Sequence, residues 1–224
     1  MSTLHEASQK TFNLVSQPWN GWCTLSDFFA TYEDQDIRKG DGISRGSFLY
    51  GQQYDFDGDT LLEDTTRSVS PIDPEGLPLV YTPMIRSLDS AYSQDGARVN
   101  KFEIAVGSSQ DMNNDFPVYR YARVLLMKAE ALWRLGRTGE ALILFNQIRE
   151  RSGLSRVDQL NDDIWIAELG REFFMEGHRR TDLIRFGKFE DSWWEKPASE
   201  ACKSIFPIPQ SQLEMANLNQ NPCY

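Results

Sequence analysis

Two predicted helices joined by a tight turn restrict the fold of this chain more than any other feature. Residues 119–154 read YRYARVLLMKAEALWRLGRTGEALILFNQIRERSGL. The first helix is predicted to begin near Pro117, which suits a first helical turn, and to stop before Gly136. One of its faces carries apolar residues at helical spacing, namely Val118, Ala122, Leu125, Leu126, Ala129, Leu132 and Trp133. This stripe needs a partner to bury it.

The second helix is predicted to run from Thr138, as its N-cap, to Gly153. Its inward-facing residues are Ala141, Leu144, Phe145 and Ile148. With Gly136 in the turn and small residues where the helices cross, the pair matches the tetratricopeptide pattern. The sequence contains no second copy, although about three such units are usually needed for stability. We therefore expect a third helix, the N-terminal half, or repeats outside this chain to cover the hairpin.

The rest of the chain divides into two unlike regions. A third helical stretch is predicted to begin near Asn161 or Asp162 and to continue through residues 164–186, and a tail follows with one helical turn near 212–216. Residues 1–115 are rich in Gly, Pro and Asp turns, with strand-like pieces at 47–51 and 100–107 and one short helix near 25–32. We predict a single domain over 1–224, mainly α with few short strands. It would comprise a loop-rich region at 1–115 and a helical scaffold with a tail at 116–224.

Charge and hydropathy exclude several classes of function. The 224-residue chain has a formal net charge of −10 and a pI near 4.7, whereas nucleic-acid or anionic-membrane binding requires clustered Lys and Arg. No run of 18 apolar residues occurs. The first ten residues, MSTLHEASQK, lack the apolar centre of a signal peptide. Three cysteines allow at most one internal disulfide.

Several ordered motifs give the chain a resemblance to a known family. They are YRYA at 119–122, EGHR at 176–179, DL at 182–183, RFG at 185–187, FPIPQ at 206–210 and NP at 221–222. Shorter pieces at 19–22, 34–39, 51–53 and 98–103 look similar to the same pattern. The chain resembles the C-terminal half of SusD/RagB proteins, and Cys223 departs from the glycine common before the final tyrosine.

The resemblance implies a SusD-like fold and a glycan-binding lipoprotein on the cell surface, at the outer membrane. Such a protein captures an oligosaccharide or polysaccharide for a TonB-dependent transporter in nutrient uptake, as in starch utilisation, and it is not an enzyme. Family members are longer, and begin with a signal peptide, a lipidated cysteine and several repeats. We find none of these here, so we expect a fragment or a truncated form, whose lipid anchor is missing. No cofactor or metal is expected.

Residues 176–185 carry the cluster of side chains that most resembles a site. It comprises Glu176, His178, Arg179, Asp182 and Arg185. A metal or acid–base site is one interpretation, but metal binding requires more converging ligands than one His and one or two carboxylates. We interpret the cluster as a structural network that attaches this helix to the hairpin and the tail, because buried charges persist when they are paired.

Tryptophans on loops are the predicted ligand-binding residues. Sugars present flat C–H faces that pack on aromatic rings, while their hydroxyls bond to amides and Arg. Trp19, Asn20 and Trp22 lie on one Gly-containing loop, and Trp193 and Trp194 lie beside Pro197. For both groups the alternative is that the rings pack under their loops, and Trp133 and Trp165 are expected in the core.

Two other functions are compatible with the sequence. The hairpin could belong to a tetratricopeptide-like module that binds peptides in its groove. A glycan-degrading enzyme would require two carboxylates across a cleft, and no motif singles out such a pair among the 33 acidic residues. The acidic segment 55–59 does not match a calcium-binding EF-hand, because Gly58 falls at loop position 4 instead of 6.

Overall fold

A computed structural model describes residues 6–19, 21–63 and 76–224. In these residues the strands are short and precede the main helices: β1 (Cys23–Thr24), β2 (Phe48–Leu49), β3 (Gly51–Gln52), β4 (Val80–Tyr81) and β5 (Ala97–Val99). The helices are α1 (Ser26–Phe29), α2 (Tyr121–Arg134), α3 (Thr138–Arg151), α4 (Asp162–Glu172), α5 (Arg179–Arg185) and α6 (Gln210–Ala216). The protein is mainly helical with few short strands, as predicted.

The strands form two small antiparallel sheets. β5 lies between β1 and β2, with Cys23 opposite Arg98 and Phe48 opposite Val99, and β3 pairs with β4. The strand predicted at 100–107 is wrong, since β5 ends at Val99. There the side chain of Asn100 donates to the carbonyls of Ser44 and Gly46, and the Lys101 ammonium turns to Glu176. Because Asn100 and Lys101 bond to these distant groups, the strand does not continue past Val99.

Two apolar clusters stabilise the loop-rich region. One consists of Phe12, Leu14, Leu49, Leu61, Leu79, Tyr81 and Ile104. The other, built around Phe29, Tyr32, Phe48 and Ala97, extends to the helical region through Phe174. The Phe174 ring packs 4.9 Å from Phe48 and 5.4 Å from Phe28, measured between ring centroids. Aromatic contacts therefore join the loops to the helices.

The helical hairpin forms as predicted, except that α2 starts later and the N-cap of α3 is Arg137 instead of Thr138, with Thr138 as the first helical residue. Ala129, Ala141 and Phe145 are all fully buried where α2 and α3 cross. α2 begins at Tyr121 rather than near Pro117, so Val118 is 69% exposed instead of lying on the buried stripe. The small residues let the two helices approach closely enough for Phe145 to fill the space between them.

The third helix covers one side of the hairpin. Trp165 of α4 is fully buried and meets the Phe145 ring edge-on at 4.8 Å, and Leu169, Phe173 and Phe186 complete the cluster. Outside this contact, α2 and its C-cap carry a second apolar stripe that remains exposed, formed by Tyr121, Val124, Met127 and the C-cap Leu135. Of the three segments that were expected to cover the hairpin, the third helix, α4, therefore covers one face of it.

The predicted continuous helix over 164–186 is wrong, because it breaks between Glu172 and Arg179. Met175 and Gly177 have φ of +61° and +78°, in the left-handed region that a right-handed helix cannot contain. Glycine adopts such angles at little cost. The start is close to the prediction, since the Asn161 side chain caps α4 by accepting from the amide of Ile164 at 2.8 Å.

The C-terminal tail contains one disulfide and is attached to α5 by hydrogen bonds. A disulfide joins Cys202 to Cys223, while Cys23 is free. The guanidinium of Arg180 donates to the carbonyls of Lys203 and Ser204. Among the described residues, no helix has the length and apolar character needed to cross a bilayer.

Candidate functional site

A cleft of about 760 Å³ lies between the loop-rich region and the helices. One wall comes from residues 22–31, including Trp22, Asp27 and Phe28, and the other comes from the end of α4 and from α5. Apolar and aromatic side chains form most of its lining. A volume of this size falls within the range of small-molecule binding sites in proteins.

Two predicted tryptophans line this cleft, although 170 positions separate them in the chain. Trp22 is 60% exposed and Trp193 is 40% exposed, and both line the cleft. A tight turn between Trp193 and Lys196 fixes the second ring, and the Lys196 ammonium lies 4.1 Å from its centroid. Large exposed aromatic rings on a concave surface are suited to stacking against a ligand.

Gly170 of α4 allows the two walls to approach each other. A Cβ at this position would lie 2.7 Å from Nη1 of Arg179 and 3.1 Å from Cε2 of Phe28. Both distances are shorter than ordinary van der Waals contact. The glycine therefore keeps the floor of the cleft in place, at some cost to helix propensity.

Two other predicted ligand-binding residues, Trp19 and Trp194, lie elsewhere. Trp19 is 56% exposed but does not line the cleft, Trp194 is half-buried outside it, and Asn20 falls outside the described residues. Trp165 is in the core and Trp133 packs against it, as expected. Phe28 and Leu183 of the lining were not predicted from sequence, because only long-range packing brings them to the same surface.

The cluster at 176–185 forms ion pairs with distant parts of the chain. Glu176 accepts from Lys101 at 2.5 Å and from Arg120 at 2.6 Å. Asp182 receives both ends of the Arg123 guanidinium, at 3.1 and 3.2 Å. Arg185 adds a bond to Asp182 and two to Glu130, each of 2.9 Å, the latter on α2.

Arg179 and Arg180, which follow this turn, differ from their neighbours. In the described chain their guanidinium groups pair with no carboxylate. Arg179 donates to the carbonyl of Ile166 at 2.5 Å and lies over the Phe28 ring, while Arg180 lies 4.0 Å from the Phe206 centroid. Both line the cleft, and a guanidinium group carries several N–H donors.

His178 packs between aromatic rings and takes no part in those ion pairs. Its ring lies 5.8 Å from Tyr119 and 5.7 Å from Phe173, and its buried Nε2 has no hydrogen-bond partner. Burial, with the positive charge of Arg123, lowers the pKa of this imidazole. The side chain is therefore neutral in the folded protein at neutral pH.

Replacement of His178 by alanine is expected to lower the melting temperature at pH 7.5 and to reduce the pH dependence of stability. The unfolded chain binds a proton near the ordinary pKa of 6.5, more readily than the folded state does. Wild-type stability should therefore fall as the pH decreases from about 7.5 to 5.5, and the variant should lack this component. Thermal unfolding at both pH values measures it, and equal slopes would contradict the assignment.

Comparisons with known proteins agree on one family. A family model described as the SusD family matches residues 86–200, which include α2 to α5. The starch-binding protein SusD of Bacteroides thetaiotaomicron is 35% identical over 123 residues, covering 50% of this chain and 22% of that protein. A SusD-like protein of Formosa agariphila is 36% identical over 109 residues, covering 42% and 22%.

Solved structures share the fold. Surface glycan-binding protein A from Bacteroides thetaiotaomicron has a TM-score of 0.64 at 23% identity, over 99% of this chain and 45% of that one. A SusD-like protein from Bacteroides fragilis has the same TM-score at 15% identity, over 99% and 50%. Another structure of the first protein, in complex with laminarihexaose, has a TM-score of 0.62 at 22% identity, over 98% and 44%.

The chain is shorter than the proteins that it matches, and those proteins are named for binding. The chain spans about half the length of these solved structures, and its matches cover about a fifth of the curated relatives. SusD and the surface glycan-binding protein are named as binding proteins and not as enzymes, in keeping with the expectation from sequence. Because the family model matches half of its residues, the chain belongs to the SusD family.

Proposed function

We propose that this protein binds carbohydrate without catalysing a reaction, and that an oligosaccharide lies in the cleft between Trp22 and Trp193. The convergence of these two exposed rings on one surface carries the proposal. Relatives named for starch or glycan binding, one of them in complex with laminarihexaose, support it. The proposal extends to the cell surface, where the protein would act with a TonB-dependent transporter in nutrient uptake.

The cleft chemistry suits a sugar better than a purely apolar ligand. Aromatic rings can stack on the C–H faces of a pyranose. Asp27, Thr31 and the two arginines contribute polar groups to the same cleft, and sugar hydroxyls require such donors and acceptors. The largely apolar lining disfavours a highly charged ligand in the centre of the cleft.

Replacing Trp22 or Trp193 with alanine is expected to weaken oligosaccharide binding by at least about tenfold, as for a buried aromatic anchor at an interface. Isothermal titration of the purified chain with laminari- and malto-oligosaccharides measures the change. Trp19→Ala is the matched control, because Trp19 is 56% exposed, close to the 60% of Trp22, but does not line the cleft. The control should bind as the wild type does.

Other results would favour the alternatives. If neither Trp22→Ala nor Trp193→Ala changes oligosaccharide binding, the cleft is not the binding site. A protein partner that is retained in those variants and lost with Val124→Asp, on the exposed stripe of α2, would favour an interaction module. Release of reducing ends over time would indicate an enzyme.

Co-purification with a TonB-dependent transporter, when the two are produced together, tests the proposed partnership.

A further inference from the structure

A second pocket, of about 530 Å³, has the opposite character to the carbohydrate cleft and shares no lining residue with it. It lies where residues 44–47 and 100–103 meet the start of α2 and the ends of α3 and α4. Six basic side chains line it, namely Arg38, Arg45, Lys101, Arg120, Arg151 and Arg171. Only two acidic side chains, Glu103 and Glu172, lie among them. A concentration of positive charge in a protein of net charge −10 requires a local explanation.

The buried carboxylates beside this pocket are each shared by several cations. Oε2 of Glu172 accepts from Arg38 at 3.0 Å and from Arg151 at 2.6 Å, while its Oε1 accepts from Arg120 at 3.1 Å. One carboxylate thus contacts three guanidinium groups, of which Arg38 also pairs with Asp36 and Glu168. Lys101 and Arg120 likewise share Glu176. Four buried carboxylates, those of Asp36, Glu168, Glu172 and Glu176, therefore pair with five of the six cations of the pocket, and the sixth cation is Arg45.

Unused donors remain around the same pocket. Arg151 uses only Nη2 in its bond to Glu172, and its side chain is 49% exposed. The Arg45 guanidinium forms no ion pair within the described chain. The Nε of Arg171 is buried without a hydrogen-bond partner in the described chain, and it lies 4.0 Å from a carboxylate oxygen of Asp36. An anion in the pocket would supply acceptors at its mouth, where Arg45 and Arg151 lie.

We propose that this pocket is a binding site for an oxyanion, meaning a sulfate, phosphate or carboxylate group. Guanidinium groups match the geometry of such anions and bind them with two donors at a time. A concave surface lined by one sign of charge also concentrates counter-ions. Burial, with Arg120 nearby, holds the pKa of Lys101 below its ordinary value, although Glu176 acts in the opposite direction.

Isothermal titration of the whole chain with sodium sulfate, at ionic strength matched with sodium chloride, tests the site. Saturable binding of one sulfate per chain is expected. The Arg45→Gln/Arg151→Gln double variant should weaken that binding by at least about tenfold, because it removes the two arginines with free donors. Arg137→Gln is the control, since Arg137 is exposed and pairs only with Glu140, and it should bind sulfate as the wild type does.

A second titration identifies the source of the oxyanion. Glucuronate that competes with sulfate, while glucose does not, would place the acidic group of a sugar in the pocket. Sulfate binding without glucuronate binding would indicate a free inorganic anion, and both results support the site. Heats that do not saturate, or the same affinity in the Arg45/Arg151 double variant, would overturn it. If the double variant does not fold, Arg45→Gln alone provides the comparison, because Arg45 is exposed and unpaired.

Discussion

Replacing Glu168 with alanine is expected to lower the free energy of unfolding by about 3–5 kcal/mol, the usual cost of removing one partner from a buried ion pair. Its carboxylate has no exposed surface and accepts from Arg38 at 2.7 Å, from Arg149 at 3.1 Å and from Arg171 at 2.6 Å. The substitution would leave these guanidinium groups buried and short of negative charge. Urea denaturation measures the loss.

A surface pair provides the control for Glu168. Glu140→Gln breaks the ion pair with Arg137 on the outside of α3, where both side chains are 56% exposed, and should leave stability unchanged within error. If both variants are equally stable, the network around Glu168 does not support the fold.

The Glu168 carboxylate also gives stability a defined pH dependence. Burial opposes its ionisation, but the charges of Arg38 and Arg171 prevail and hold its pKa below the ordinary 4.5. This contribution is therefore complete above pH 4.5 and decreases as the pH falls through the lowered pKa. A neutral Glu168→Gln protein should lose less stability on acidification than the wild type.

Replacing Phe145 with alanine is expected to cost about 3–5 kcal/mol, because it leaves a large cavity in the interior of the hairpin. The ring is fully buried and lies between α2 and Trp165 of α4. Its loss would affect three helices at once, since those helices pack on one another through it. Thermal and urea-induced unfolding, followed by circular dichroism at 222 nm, measure the change.

Ile143→Ala is the matched control for Phe145. Ile143 lies on the same helix, two residues earlier, but is 62% exposed, so its truncation should change stability by about 0.5 kcal/mol or less. Equal losses in the two variants would mean that the hairpin is not stabilised through its buried face.

Helices with strong local signals were predictable from sequence, whereas interruptions and strands were not. Ala129, Ala141 and Phe145 lie where helical periodicity places them, and Asn161 caps α4. Residues 173–178 keep an apolar helical pattern, yet the chain turns at Met175 and Gly177. The strand expected at 100–107 failed because Asn100 and Lys101 bond to distant groups instead. Bonds between residues that are distant in the chain do not produce a periodic pattern of residue types in the sequence.

The candidate site was predictable only in its residue types. Exposed tryptophans on loops suggested a sugar-binding surface, but the pairing of Trp22 with Trp193 depends on how two distant segments pack. Arg120 and Arg123, which pair with Glu176 and Asp182, lie more than 50 positions away from them. The spacing of residues in the sequence cannot indicate contacts at that separation. The basic pocket was not predicted either, because its lining residues come from distant parts of the chain.

The carboxylates that join the loops to the helices also determine how the ligand cleft responds to acid. Arg38 and Lys101 attach the loop-rich side to Glu168, Glu172 and Glu176 on the helical side, and the two walls of the cleft belong to these same sides. Burial opposes ionisation of Glu168 and Glu176, but their cationic partners prevail and hold both pKa values below the ordinary 4.5. We therefore expect the proposed glycan binding to persist at mildly acidic pH and to be lost only well below pH 4.5, where these carboxylates gain protons and the two sides lose their ion pairs.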